Sequence, residues 1–270
     1  MIAPRHLPDS FKLWNKKYGA PFGRQFFLNR RVQKVLPWRF WLRCAGYFSQ
    51  QPNNTIREFE YPWAFFATPL RPGLRVLEIG GGLSGFQFVL DKLGCKVVNV
   101  DPGLNAKGNK KWACDMAMMT ILNRHFGTSV ELRNTTLADA DLPSNFFDRA
   151  FSISVMEHLS DEELEQAMAI VHKCLKPGGF FILTVDLFPN LTPFTTQLTN
   201  EYGKNVNVHR LVEIAPFKLV KGEPTELYGY SDFNPDKILS NIKNYFVGRD
   251  PALAQCIVLQ KANGSFENIE

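Results

Sequence analysis

The chemistry of this chain concentrates in Val76-Leu77-Glu78-Ile79-Gly80-Gly81-Gly82-Leu83-Ser84-Gly85. An apolar run carrying one acid enters a glycine-rich turn that opens a helical pattern. Gly80, Gly82 and Gly85 satisfy G-x-G-x-x-G, in which glycines let backbone approach a ligand and the following helix offers free N–H groups. Alone, that spacing also suits a dinucleotide. Glu78 argues against one, because a carboxylate two residues before the first glycine would face a pyrophosphate unfavourably but attract an ammonium group. Asp101, 16 residues past Gly85 and at the end of the next apolar run, can accept both hydroxyls of a ribose. Taken singly, Glu78 could bond a nearby loop and Asp101 could merely start the Asp-Pro-Gly turn. Their joint spacing points to an adenosine-bearing ligand.

The elements that must hold these residues follow from the pattern. Residues 74–79 read as a strand, the helix after the glycines runs to Leu93, and Gly94 ends it in a left-handed conformation. Further strands are expected at 96–100, 129–133, 149–155 and 180–185. A helix over 161–175 has Ser160 as its N-cap and Asp161, Glu162 and Glu163 in its first turn. Pro177-Gly178-Gly179 is expected to stop it. Strands alternating with helices imply a parallel sheet covered on both faces. Residues 187–200 read as a loop or lid, 207–214 as a short helix, and 217–221 and 255–260 as the last two strands.

In order and separation, these segments resemble the class I S-adenosylmethionine-dependent methyltransferases of the small-molecule type (the methyltransferase type 11-like domain). The resemblance runs through Val76–Ile79 and its glycines, Val100-Asp101, and Leu142-Pro143-Ser144-Asn145-Phe146-Phe147-Asp148. It continues through Phe151-Ser152-Ile153-Ser154-Val155-Met156-Glu157-His158-Leu159 and closes on Leu175-Lys176-Pro177-Gly178-Gly179-Phe180, covering roughly residues 71–187. It implies an α/β, Rossmann-like seven-stranded sheet, six strands parallel and one antiparallel, with helices on both faces. An N-terminal helical appendage, residues 1–60, precedes a methyltransferase domain over 61–270. That domain divides into a core over 71–187 and a lid with the last strands over 188–262.

The resemblance further implies that Glu78, Gly80 and Gly82, with Gly85 closing the motif, serve the methionine portion of S-adenosylmethionine or its product S-adenosylhomocysteine. Asp101 would hold the ribose, Pro102 and Gly103 would pass near the adenine, and Ser154 and Met156 would lie beneath the cofactor. The family's acid for the adenine amino group is out of register here. Counting from the third strand reaches Thr136, and counting back from Pro143 reaches Ala138. Asp139 is the nearest acid and the one favoured, with Asp141 next.

Methyl transfer from a sulfonium needs orientation above all, and a general base only when the acceptor keeps its proton near neutral pH. His158, just past the fourth strand, is the candidate base; the alternative is that it only orders the loop or packs beside the cofactor. Asp186, at the end of the fifth strand, faces the same edge. Glu201, Tyr202 and His209 are candidates for substrate contact; His209 reads better as a helix-end residue. His125 and His172 have no assigned role, and no His/Asp/Glu cluster has metal-ligand spacing. Tyr61-Pro62-Trp63-Ala64-Phe65-Phe66 reads as a helix that either covers the methionine end or simply packs.

Composition sets the outer bounds. The chain has 270 residues, 45% hydrophobic and 21% charged, which excludes disordered and low-complexity classes. Lys+Arg 31 against Asp+Glu 26 give +5. Residues 1–60 hold 11 basic and 3 acidic residues, so the basic excess is confined to that aromatic-rich segment. Its pattern suits a helical appendage with solvated Lys/Arg, with RNA or a weak membrane-surface contact as alternatives. Pro37 is expected to divide two helices there. The five scattered cysteines and the absence of an apolar leader suit the reducing cytoplasm. The acceptor is a small molecule or glycan; nucleic acid is disfavoured because no base-amino motif appears. A non-catalytic cofactor-binding protein and a nicotinamide dehydrogenase are the other readings.

Overall fold

The computed structural model describes residues 1–24, 44–103, 114–248 and 251–263. Pro37 and the aromatics Phe26, Phe27, Trp38, Phe40 and Trp41 lie outside them.

Seven strands form one sheet: β1 (Arg75–Ile79), β2 (Lys96–Val100), β3 (Glu131–Arg133), β4 (Phe147–Ile153), β5 (Leu175–Leu187), β8 (Phe217–Lys221) and β9 (Leu253–Lys261). Their order is β3-β2-β1-β4-β5-β9-β8. The strands from β1 to β5 pair in parallel, and β9 runs antiparallel between β5 and β8. A two-stranded hairpin, β6 (Thr199–Asn200) and β7 (Gly203–Lys204), stands apart from the sheet. The order reverses at β1, so the C-terminal ends of β1 and β4 border the crevice where open α/β sheets bind ligands.

Alternating side chains divide the core. Val76, Val97, Ile182, Cys256 and Val258 face one side, where α1 (Asp9–Tyr18), α2 (Arg57–Ala67), α3 (Gly85–Lys92) and α4 (Met116–Phe126) pack. Leu77, Val98, Leu183, Ile257 and Leu259 face α5 (Asp161–Cys174) and α6 (Val208–Ile214) on the other. This is the period-two burial of a sheet covered on both faces.

Local chemistry sets the helix ends. Ser160 and Glu163 form a reciprocal capping box on α5, and Ser84 caps α3 by accepting from Phe86 N–H. Pro62 lies inside α2 and cannot donate to the Glu58 carbonyl; Asn15 Nδ2 of α1 donates there instead, at 2.7 Å. The same pair of helices packs Phe11 on Phe59, ring centroids 5.3 Å apart. Trp14 and Phe48 are also buried, so aromatics of the N-terminal segment do pack on the sheet's helices. Its first residues join the sheet edge: Ile2 bridges Gln255 of β9, beyond the stretch of β9 that β8 covers.

One expected boundary moves. The fifth strand begins at Leu175, not at Phe180. Leu175 already pairs with Phe147, residues 176–179 bulge out, and pairing resumes at Arg149 with Phe180. Pro177-Gly178-Gly179 therefore interrupts a strand rather than separating helix from strand. α7 (Pro235–Ser240) was not anticipated.

Candidate active site

Strand β1 delivers its chain end into the crevice through Gly80. That residue has φ +65, and a Cβ there would lie 2.7 Å from Val155 Cγ2, so only glycine fits beneath β4's exit. The turn is then fixed from below. Gly80 N–H donates to Val100 O at 2.9 Å. Gly81 N–H donates to Asn99 Oδ1, and Asn99 Nδ2 and Gln87 Nε2 both donate to Gly82 O. Gln51 Oε1 accepts from Leu83 N–H at 2.8 Å. Asn99, Gln87 and Gln51 carry no motif signal. A buried amide in a strand or helix is the one clue, since such groups must find partners.

Asp101 is buried at the end of β2. Its Oδ2 accepts from Gly82 N–H at 2.8 Å and its Oδ1 from Gly103 N–H at 2.7 Å. The Cys114 thiol also bonds to this side chain; a carboxylate has about four acceptor sites, so capacity remains for a hydroxyl. Glu78 is 3% exposed and its Oε2 has no hydrogen-bond partner. Burial, and then the Asp101 charge, push its pKa up to about 8. A buried acid at the turn with an unused oxygen fits a ligand that brings a donor or a positive charge. Together with Asp101 this sets two acidic acceptors side by side at the glycine turn.

Gly85 stands differently. A Cβ there would meet Phe48 Cγ at 2.6 Å and the Tyr47 carbonyl carbon at 2.7 Å, so its smallness serves packing by the segment before α2. Pro102 is half-buried beside Asp101. Asp139 is exposed on the turn after β3 and accepts from Thr136 Oγ1 at 2.6 Å. Met156 is fully buried in the core facing α5. His209 lies on α6 against Glu213, and Tyr202 on the β6–β7 hairpin.

The ends of β4 and β5 bring the expected Ser154, His158 and Asp186 together with Arg57 and Glu60, which sequence reading missed. Ser154, with φ +47, turns the chain out of β4. Its hydroxyl donates to Glu60 Oε1 at 2.9 Å and lies 3.1 Å from Asp186 Oδ1. Arg57 donates to both Ser154 Oγ and Glu60 Oε2. Glu60 is fully buried and Arg57 is partly exposed. Desolvation alone would lower the Arg57 pKa, but the facing Glu60, with Tyr61 and Asp186 behind it, raises it overall. Asp186 is raised well above the carboxylate range by desolvation, then by Glu157 and Glu60. Glu157 is raised to about 7, mainly by burial. His158 reaches the surface, yet protein around its ring lowers its pKa by desolvation while Asp186 pulls the other way. It is therefore neutral at pH 7 and able to take a proton.

Among the described residues no group of His, Cys, Asp and Glu could hold a metal ion. No helix among them is long and apolar enough to cross a membrane.

Residues 77–183 match the family described as a methyltransferase domain. Over 191 residues, 67% of the chain, there is 29% identity to the cyclopropane-fatty-acyl-phospholipid synthase of Escherichia coli (strain K12), of which 46% is covered. Over 115 residues, 42% of the chain, there is 30% identity to the ubiquinone biosynthesis O-methyltransferase of Bradyrhizobium sp. (strain ORS 278), of which 40% is covered. The chain thus spans less than half the length of these curated relatives. The Burkholderia thailandensis 1,6-didemethyltoxoflavin-N1-methyltransferase, solved with S-adenosylhomocysteine, shares the fold at TM-score 0.52 and 16% identity, over 90% of this chain and 94% of that one. Glycine turn, buried acids and sheet order agree with the match of residues 77–183 to a methyltransferase domain.

Proposed function

We propose that the chain transfers a methyl group from S-adenosylmethionine to oxygen or nitrogen of a small-molecule or glycan acceptor. The observation that carries this reading is the unpartnered, buried Glu78 oxygen two residues before Gly80 and one strand from Asp101. In this reading Glu78 takes the cofactor's ammonium group, Gly80 and Gly82 let its methionine portion approach, and Asp101 takes a ribose hydroxyl. Pro102 borders the adenine, Asp139 serves its amino group, and Ser154 and Met156 form the floor. The bound cofactor supplies an electrophilic methyl on sulfur, open to in-line displacement.

The protein's task is then orientation and proton handling. α2 brings Arg57 and Glu60 over the ends of β4 and β5 and shields them from water. Neutral His158 and Asp186 with its raised pKa are the groups that receive the acceptor's proton. Nucleic acid is not the acceptor in this reading, because the basic excess lies outside residues 77–183. Five free cysteines support a reducing, cytoplasmic setting.

The test is calorimetric titration of S-adenosylmethionine, S-adenosylhomocysteine and NAD into wild type and Asp101→Ala. Binding of the two sulfur ligands, greatly weakened in the variant, supports the reading; binding of NAD alone overturns it.

A further inference from the structure

We propose that the methyl acceptor is an amine, seated as its ammonium against Glu157, Asp186 and Glu60 at the ends of β4 and β5. This rests on the methyl-transfer reading and narrows it.

Three carboxylates and one guanidinium meet there. Arg57 is matched by Glu60, and Ser154 links that pair to Asp186. Asp186 and Glu157 are left without a cation of their own. Glu157 is 1% exposed, and neither of its oxygens has a formed hydrogen bond. The backbone N–H groups of Glu157 and Asp186 face the carboxyl and favour its ionised form, which leaves room for further donors on its two oxygens. Buried acceptor oxygens in such a state call for a donor. An ammonium group brings three donors and no acceptor, so it satisfies the cluster without leaving a new orphan.

A separate feature agrees. A cleft of about 370 Å³ is lined by Phe188, Asn190, Gln197, Asn200, Glu201 and Tyr202. Its wall rests on the turn that carries Glu157: Gly203 lies so close that a Cβ would stand 2.5 Å from Glu157 O. The Phe188 and Tyr202 rings stack at 6.3 Å, and Glu201 is the sole charged lining residue. Lys204, next along the hairpin, is bound to Asp161. An anionic acceptor meets no cation in this cleft, whereas a cation meets aromatic faces and a carboxylate. An ammonium must lose one proton before its nitrogen can attack. That N–H bond breaks with its electron pair kept on nitrogen, and the proton passes to a carboxylate of Asp186 or Glu157, which becomes the acid.

The test uses the full chain saturated with S-adenosylhomocysteine. Calorimetry compares phenethylamine, ethanolamine and glucosamine with phenethyl alcohol, ethylene glycol and glucose. At least one amine is expected to bind tenfold or more tightly than its hydroxyl counterpart, and Glu157→Gln to bring that ratio close to one. Asp186→Asn is the second variant should Glu157→Gln not fold. Equal binding within every pair, no binding of any amine, or a ratio that survives in the folded variants overturns the proposal. If S-adenosylhomocysteine itself fails to bind, the methyl-transfer reading falls first and takes this one with it.

Discussion

The turn after β1 and the ends of β4 and β5 sit side by side, yet they are built on opposite principles. At the turn, backbone N–H and C=O groups are held by Asn99, Gln87, Gln51 and Asp101, and the oxygen left over belongs to Glu78. At the strand ends, an Arg–Glu pair stands beside carboxylates of raised pKa, and Glu157 has both oxygens unused. The first region has its backbone groups fixed in place by neighbouring side chains. The second holds carboxyl groups whose ionisation burial opposes, beside an ion pair that does not extend to them.

Four experiments separate these regions, beginning with the largest expected effect. Arg57→Ala leaves the buried Glu60 without its cation, which costs about 3–5 kcal/mol in such pairs; urea denaturation should show it, and a shift under 1 kcal/mol would mean the pair is solvated. Asp101→Ala removes the acceptor of two backbone N–H groups and, in the proposed reading, the ribose contact. At about 1.5–3 kcal/mol for hydrogen bonds to a charged group, S-adenosylhomocysteine should bind roughly 10- to 150-fold more weakly, with Asp101→Asn intermediate.

The third experiment is pH. The folded pKa values of Glu78 and Glu157, about 8 and about 7, lie above the ordinary glutamate value. From pH 4.5 upward the unfolded chain releases these protons first. Their contribution to stability is therefore complete below about pH 4.5 and lost as pH rises through 7 and 8. Urea midpoints at pH 5 and pH 8 should differ, and Glu157→Gln should flatten the part of the slope between about pH 4.5 and 7. An unchanged slope would mean that Glu157 is solvated in the folded chain. The smallest effect belongs to a control outside both regions. Ser160→Ala removes the α5 capping box and should cost about 1 kcal/mol, with cofactor affinity unaltered.

The two regions also differ in how far sequence discloses them. The glycine turn is legible because a left-handed φ and a close backbone approach require glycine, and Ser160 because a helix start requires a local acceptor. The β8 strand and the Asn207 cap of α6 are local in the same sense. The cluster is not local. Arg57 and Glu60 have the spacing of any exposed helix pair, and only the fold brings them to Ser154, 97 and 94 residues away. The early start of β5 was hidden for a related reason: Lys176 to Gly179 has turn composition, and pairing of Leu175 with Phe147 across the sheet overrides it.

The edge contact between Ile2 and Gln255 bears on how the chain is made. A ribosome adding about 5–20 residues per second delivers residue 255 some 13–50 s after residue 2. During that interval β1, β2 and β4 can already pair, whereas Ile2 has no strand to join. The helical face can form from the nascent chain, but this stretch of sheet edge closes only near the end of synthesis.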